Sequence, residues 1–125
     1  MKFIDLFAGT GGFHVALSRL GHECVFASEI DPELRELYQE NFPQMNGKIY
    51  GDIREFKNLV PKHEILCAGF PCQPFSKSGS QLGIDDETRG TLFHEIHEIL
   101  ERLRSPFMIL ENVGNFGLHD HIIQL

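Results

Sequence analysis

Short apolar runs alternate along this chain with longer stretches in which apolar residues recur every three or four positions. The runs at Lys2–Phe7, Cys24–Ser28, Ile49–Tyr50, Ile65–Ala68 and Phe107–Leu110 have the length and composition of buried strands. Between the first two, Ala8–Gly12 is a glycine-rich turn. Phe13–Leu20 then keeps a helical spacing that Gly21 is suited to end. Asp31-Pro32-Glu33 opens a second helix, with Asp as N-cap, Pro at the first helical position and Glu in the first turn; it runs to about Asn41, just before Pro43. Leu92, Phe93, Ile96, Ile99, Leu100 and Leu103 hold a 3.6-residue period, so Thr91–Arg104 is predicted to be an amphipathic helix. Phe70 to about Arg89 is rich in Ser and Gly and reads as one long irregular loop, a length that in a compact domain tends to carry function. His119–Leu125 reads as the start of a further helix. Strand and helix in alternation predict an α/β fold, a doubly wound, mostly parallel sheet with helices on both faces. The pattern stops before such a sheet is finished, so the expected domain is incomplete and the chain a fragment.

Composition narrows this further. At 125 residues the chain is one domain or part of one. No apolar stretch approaches the roughly 20 residues of a membrane span, and Met1-Lys2-Phe3-Ile4-Asp5 turns acidic too early for a signal peptide. Cys24, Cys67 and Cys72 form an odd set with spacings that suit neither a disulfide framework nor a zinc site. A reducing, cytoplasmic setting without a metal is expected. The net charge of −7, from 11 basic and 18 acidic residues, is awkward for a protein that binds phosphate backbones.

The chemistry gathers at predicted strand ends. Gly69-Phe70-Pro71-Cys72-Gln73-Pro74-Phe75-Ser76 follows the fourth strand, and its two prolines exclude helix and central strand around Cys72. A stiff turn there would hold one thiol where open α/β sheets place their sites. Either Cys72 is a nucleophile or the segment is a structural turn with an inert cysteine. The glycine turn at Gly9, Gly11 and Gly12 lets backbone approach a ligand, and Glu29 lies 20 positions after Gly9, the spacing at which a carboxylate meets a ribose. Asp52 ends the third strand, where it could meet an adenine edge. The third glycine of a dinucleotide fingerprint is missing and Phe13 stands at the helix start, so S-adenosyl-L-methionine fits better than a pyrophosphate cofactor. Glu111 ends the fifth strand, either as an acid that shares a proton with a bound ring or as a turn-capping carboxylate. His94 and His97, one helical turn apart, read as solvated or half-buried rather than as a metal pair, and His119 and His121 likewise. Arg89 either touches phosphate or caps the loop.

Taken in order and spacing, Asp5–Phe13, Glu29, Gly51-Asp52-Ile53, Gly69–Ser76, Arg89-Gly90-Thr91-Leu92-Phe93 and Glu111-Asn112-Val113 resemble the cytosine-5 methyltransferases that act on DNA. The resemblance covers nearly the whole chain but only the first part of that family's catalytic domain. It implies a Rossmann-like S-adenosylmethionine-dependent fold. It implies that Phe7, Gly9, Thr10, Gly11, Glu29, Ile30, Asp52 and Ile53 line the cofactor pocket. It implies that the Cys72 thiolate adds to carbon-6 of a flipped cytosine, that Glu111 contacts the ring nitrogen and exocyclic amine, and that Asn112 holds the Cys72 segment. Gln73, Ser76 and the loop through Arg89 would face the nucleic acid. The family's later Gln-x-Arg-x-Arg segment and its target-recognition region are absent. The resemblance therefore implies weak binding to double-stranded DNA by this chain alone and a complementary C-terminal polypeptide as partner. A tRNA substrate and an inactive cofactor-binding or interaction module are the other readings.

Overall fold

A computed structural model of the chain describes residues 1–70, 87–112 and 119–124, and side chains within 1–69 and 92–111. In order along the chain the elements are β1 (Lys2–Leu6), α1 (Gly12–Arg19), β2 (Glu23–Ser28), α2 (Pro32–Asn41), β3 (Ile49–Tyr50), α3 (Ile53–Phe56), β4 (Ile65–Phe70), α4 (Glu87–Leu103), β5 (Phe107–Asn112) and β6 (His119–Gln124). Single 3-10 turns at Pro43–Met45 and Lys57–Leu59 complete the connections.

The strands form one sheet in the order β3-β2-β1-β4-β5-β6. The first five run parallel, and β6 is antiparallel to β5. Strand order reverses between β1 and β4, the point at which a doubly wound sheet opens a crevice at its carboxyl ends. Side-chain alternation sends Ile4, Leu6, Leu66, Ala68 and Met108 to one face, where they pack with Ile53, Ile96 and Ile99 from α3 and α4. Phe3, Ile65 and Cys67 go to the other face, with Leu17 of α1, Tyr38 of α2 and Met45. Each such aliphatic side chain contributes about 1.5–3 kcal/mol by leaving water. A register shift between Phe3/Ile4 and Cys24/Phe26 leaves Val25 unmatched, and this bulge sets Leu6 beside Ser28 at the strand ends.

Three expectations are corrected. His119–Gln124 is a strand, not the start of a helix: its adjacent Ile122 and Ile123 carry no helical period, and the open edge of β5 offers a ladder from Phe107↔Gln124 to Asn112↔His119. The segment between β4 and α4 is shorter than the expected loop, because β4 continues to Phe70 by pairing with β5 and α4 already begins at Glu87; residues 71–86 lie outside the described residues. Phe93 does not belong to the buried stripe of α4, being 39% exposed. The one-turn helix α3 was not expected. Asp52 caps it, accepting from the Arg54 amide at 2.9 Å.

Beneath the glycine turn lies a polar chain inside the core. Asp5 is fully buried in the middle of β1 and accepts from the Tyr38 hydroxyl at 3.1 Å. The Tyr38 oxygen in turn meets Nδ1 of buried His14 at 2.8 Å, and the His14 ring stacks on Phe42 with centroids 3.8 Å apart. Burial pushes the Asp5 carboxyl up to about 8, against the lowering effect of the Tyr38 hydrogen bond and aided by the charge of Glu29. Burial likewise lowers His14. A second buried tie joins the approach to β4 with the end of α4: His63 Nε2 and Ser105 Oγ are 2.6 Å apart.

Candidate functional site

The site is built where β1, β2, β3, β4 and β5 end. Backbone geometry at the end of β1 is exceptional. Phe7 stands at φ 56°, Gly9 at 57° and Gly11 at 101°, three left-handed residues within five. A bulky residue held there stores strain of the kind found at ligand clamps. The turn is fastened by Ala8 N–H to the Ser28 carbonyl at 2.9 Å and by Gly11 N–H to the Ala8 carbonyl at 3.0 Å. Gly11 packs against α2: a Cβ there would lie 2.3 Å from Phe42 Cε2.

Glu29 follows β2 and is 8% exposed. Its Oε1 accepts from Gly9 N–H at 2.7 Å and its Oε2 from Asp31 N–H at 3.0 Å. The carboxylate thus ties the glycine turn to the start of α2, and each oxygen keeps a lone pair for a ligand. Its own N–H donates to the Tyr50 carbonyl at 2.9 Å, which ties it to β3. Arg35, reaching back from α2, donates to the Glu29 carbonyl at 2.8 Å and to the Ile30 carbonyl at 3.4 Å. The same guanidinium lies against Gly51, where a Cβ would come within 3.3 Å of Nη1. After β3, Asp52 accepts from Arg54: Nε to Oδ1 at 3.0 Å and Nη2 to Oδ2 at 2.7 Å. These bonds hold the Asp52 carboxyl below the usual carboxylate range.

A pocket opens among these groups. Five of the expected residues line it, namely Phe7, Glu29, Ile30, Asp52 and Ile53, together with Ser28, Gly51, Arg54 and Leu92. Gly9 borders it through its bond to Glu29. Thr10 is exposed and Gly11 is turned to Phe42, so neither is among the lining residues. On the other side of the switch point, the register sets Gly69 beside Glu111 and Phe70 beside Asn112. A Cβ on Gly69 would lie 3.7 Å from the Phe7 carbonyl oxygen and 3.9 Å from both Glu111 Oε1 and Phe13 Cε2. The ends of β1, β4 and β5 therefore converge on one spot, with a half-buried carboxylate beside it.

Cys72, Gln73 and Ser76 lie outside the described residues. Arg89 falls in the first turn of α4 and Asn112 at the last position of β5, with their side chains outside the described set. Cys24 and Cys67 are buried packing residues; burial pushes the Cys24 thiol up to about 12 and the Cys67 thiol further. His94 and His97 are exposed and each faces a glutamate one turn on, Glu98 at 3.0 Å and Glu101 at 3.9 Å. Arg35 and Arg54 were missed. Their only sequence signal is a basic residue within six positions of a strand-end carboxylate.

The family model for C-5 cytosine-specific DNA methylases matches residues 1–124. The chain belongs to that family. It is 48% identical over 122 residues to the type II methyltransferase M.HhaI of Haemophilus parahaemolyticus, covering 97% of this chain and 36% of the relative. It is 47% identical over 120 residues to the type II methyltransferase M.MspI of a Moraxella species, covering 95% and 28%. Among solved structures, the Dnmt2 methyltransferase of S. pombe superposes with a TM-score of 0.64 at 25% identity, over 93% of this chain and 37% of that one. The chain thus spans about a third of the length of the relatives it matches, and its fold is the Rossmann-like fold of methyltransferases. No helix among the described residues is long and apolar enough to cross a membrane.

Proposed function

We propose that this chain forms the cofactor-binding and nucleophile-bearing part of an enzyme that transfers a methyl group from S-adenosyl-L-methionine to carbon-5 of cytosine in DNA. The observation that carries the reading is the convergence at the switch point, where Glu29 and Asp52 face one pocket and Glu111 stands beside Gly69, three positions before Cys72. The donor set fits the cofactor. Glu29 is fixed by two backbone amides with acceptor capacity left for the ribose hydroxyls, and Asp52 is an acceptor for the adenine amine. Phe7, Ile30, Ile53 and Leu92 supply apolar walls. The bound cofactor supplies an electrophilic methyl group.

The chain's own residues do the rest. The Cys72 thiolate adds to carbon-6 of the flipped base and makes carbon-5 electron-rich. Glu111 hydrogen-bonds ring nitrogen 3 and the exocyclic amine, and stabilises charge as the thiolate adds. Asn112 holds the Cys72 segment, and Gln73, Ser76 and Arg89 face the nucleic acid. The net charge of −7 makes DNA association by this chain alone weak and salt-sensitive, so a basic C-terminal polypeptide completes the site. We place the protein in a bacterial cytoplasm, in keeping with its free thiols and its bacterial relatives.

The test combines the chain with the C-terminal two-thirds of one of these relatives and labelled S-adenosylmethionine. Label entering cytosine of duplex DNA supports the reading. Label entering only tRNA would replace the substrate. No label in either, with the complex formed, would leave the inert-module reading standing.

A further inference from the structure

Asp52 is the acceptor assigned above to the adenine amine, yet Arg54 already occupies it. The Arg54 backbone amide meets Oδ1 at 2.9 Å, Nε meets Oδ1 at 3.0 Å and Oδ2 at 3.1 Å, and Nη2 meets Oδ2 at 2.7 Å. Both residues line the same pocket, and the Asp52 side chain is 19% exposed while that of Arg54 is 48% exposed. A forked guanidinium of this kind does two things to a carboxylate. It fixes the rotamer, because two parallel bonds define a plane. It also keeps the group ionised, and an ionised carboxylate is an acceptor only. Glu55 and Glu95 act on the Arg54 charge as well, but the hydrogen bond to Asp52 is the larger influence. The two oxygens retain limited acceptor capacity, and it is aimed by Arg54.

From this geometry we infer that Arg54 is a specificity-determining residue. By clamping Asp52 as a fixed acceptor, it makes the pocket select a purine with a 6-amino donor and reject one with a 6-oxo acceptor. A 6-oxo group would set oxygen against oxygen, with no proton between them. A carboxyl free to rotate or to take up a proton would tolerate it. This inference rests on the adenosyl reading of the pocket.

The test measures binding of S-adenosylhomocysteine and of its 6-oxo counterpart, S-inosylhomocysteine, to the chain by calorimetry at pH 7.5. The unmodified chain should prefer the 6-amino ligand at least about 30-fold, the size of a lost hydrogen bond to a charged group. Arg54→Ala should cut that preference about fivefold or more, mainly by strengthening the 6-oxo arm. Arg54→Lys should restore it only in part, since an ammonium is not a fork. Asp52→Asn should also collapse the preference, and adding Arg54→Ala to it should change the preference no further, because Arg54 acts only through Asp52. A general loosening of α3 would lower both affinities together and leave their ratio unchanged, and an unchanged ratio overturns the inference. Absence of S-adenosylhomocysteine binding to the unmodified chain would overturn the adenosyl reading itself.

Discussion

Gly11 and Gly12 are adjacent in sequence and opposite in what they require. Gly11 sits at φ 101° with Phe42 where its Cβ would be, whereas a Cβ on Gly12 meets nothing within 4 Å at an ordinary helical φ. Gly9 is intermediate, left-handed at 57° with open space around it. Gly12→Ala should therefore be neutral or slightly stabilising, Gly9→Ala should cost about 1–2 kcal/mol, and Gly11→Ala about 3 kcal/mol or more. Urea denaturation of the three variants checks the order, and equal costs at Gly11 and Gly12 would contradict the packing described. Asp5 offers a second test at this scale. Its carboxyl ionises near 3.8 when unfolded but keeps its proton to about 8 when folded. Between those values the unfolded state binds fewer protons, so this residue's contribution to stability falls as pH rises. Asp5→Asn removes the titration and still accepts from Tyr38. From pH 5 to pH 8 the variant should gain on the parent by about 5 °C or more in melting temperature. An unchanged margin would mean that Asp5 is not held protonated.

Glu29 acts between elements. One carboxylate joins the turn after β1 to the start of α2, while Arg35 holds the same corner from the helix side. Glu29→Ala leaves two amides without their acceptor and should cost about 1–3 kcal/mol in fold stability, with a further loss in cofactor affinity. Full stability in that variant would show that the corner does not depend on it. The elements themselves were largely legible. Buried parallel strands are short apolar runs, and Asp31-Pro32-Glu33 is a local signal that needs no partner. The placement of Glu29, Asp52 and Glu111 at the carboxyl ends of the strands was legible because each directly follows or closes an apolar run. What stayed hidden depends on distant parts of the chain. His119–Gln124 becomes a strand only because β5 has an edge to offer, and β4 gains Gly69 and Phe70 from that neighbour too. Arg35 and Arg54 look like ordinary solvated arginines until the strand ends they grip are brought beside them.

For the whole molecule, the charge bears on the function proposed above. The chain carries −7 and spans about a third of its relatives, yet it holds the pocket lined by Glu29 and Asp52 and the β4–β5 corner in one sheet. In the function proposed above, the chain binds the cofactor and carries the nucleophile, and most of the grip on DNA comes from a complementary C-terminal polypeptide. The most direct measurement uses duplex DNA carrying 5-fluorocytosine, with S-adenosylmethionine and the chain combined with a complementary C-terminal portion. Fluorine cannot leave as a proton does, so the covalent adduct should persist, and mass spectrometry should map it to Cys72. Cys72→Ser should abolish the adduct while cofactor binding stays close to that of the parent. An adduct on Cys24 or Cys67, or full methyl transfer by the serine variant, would contradict the account.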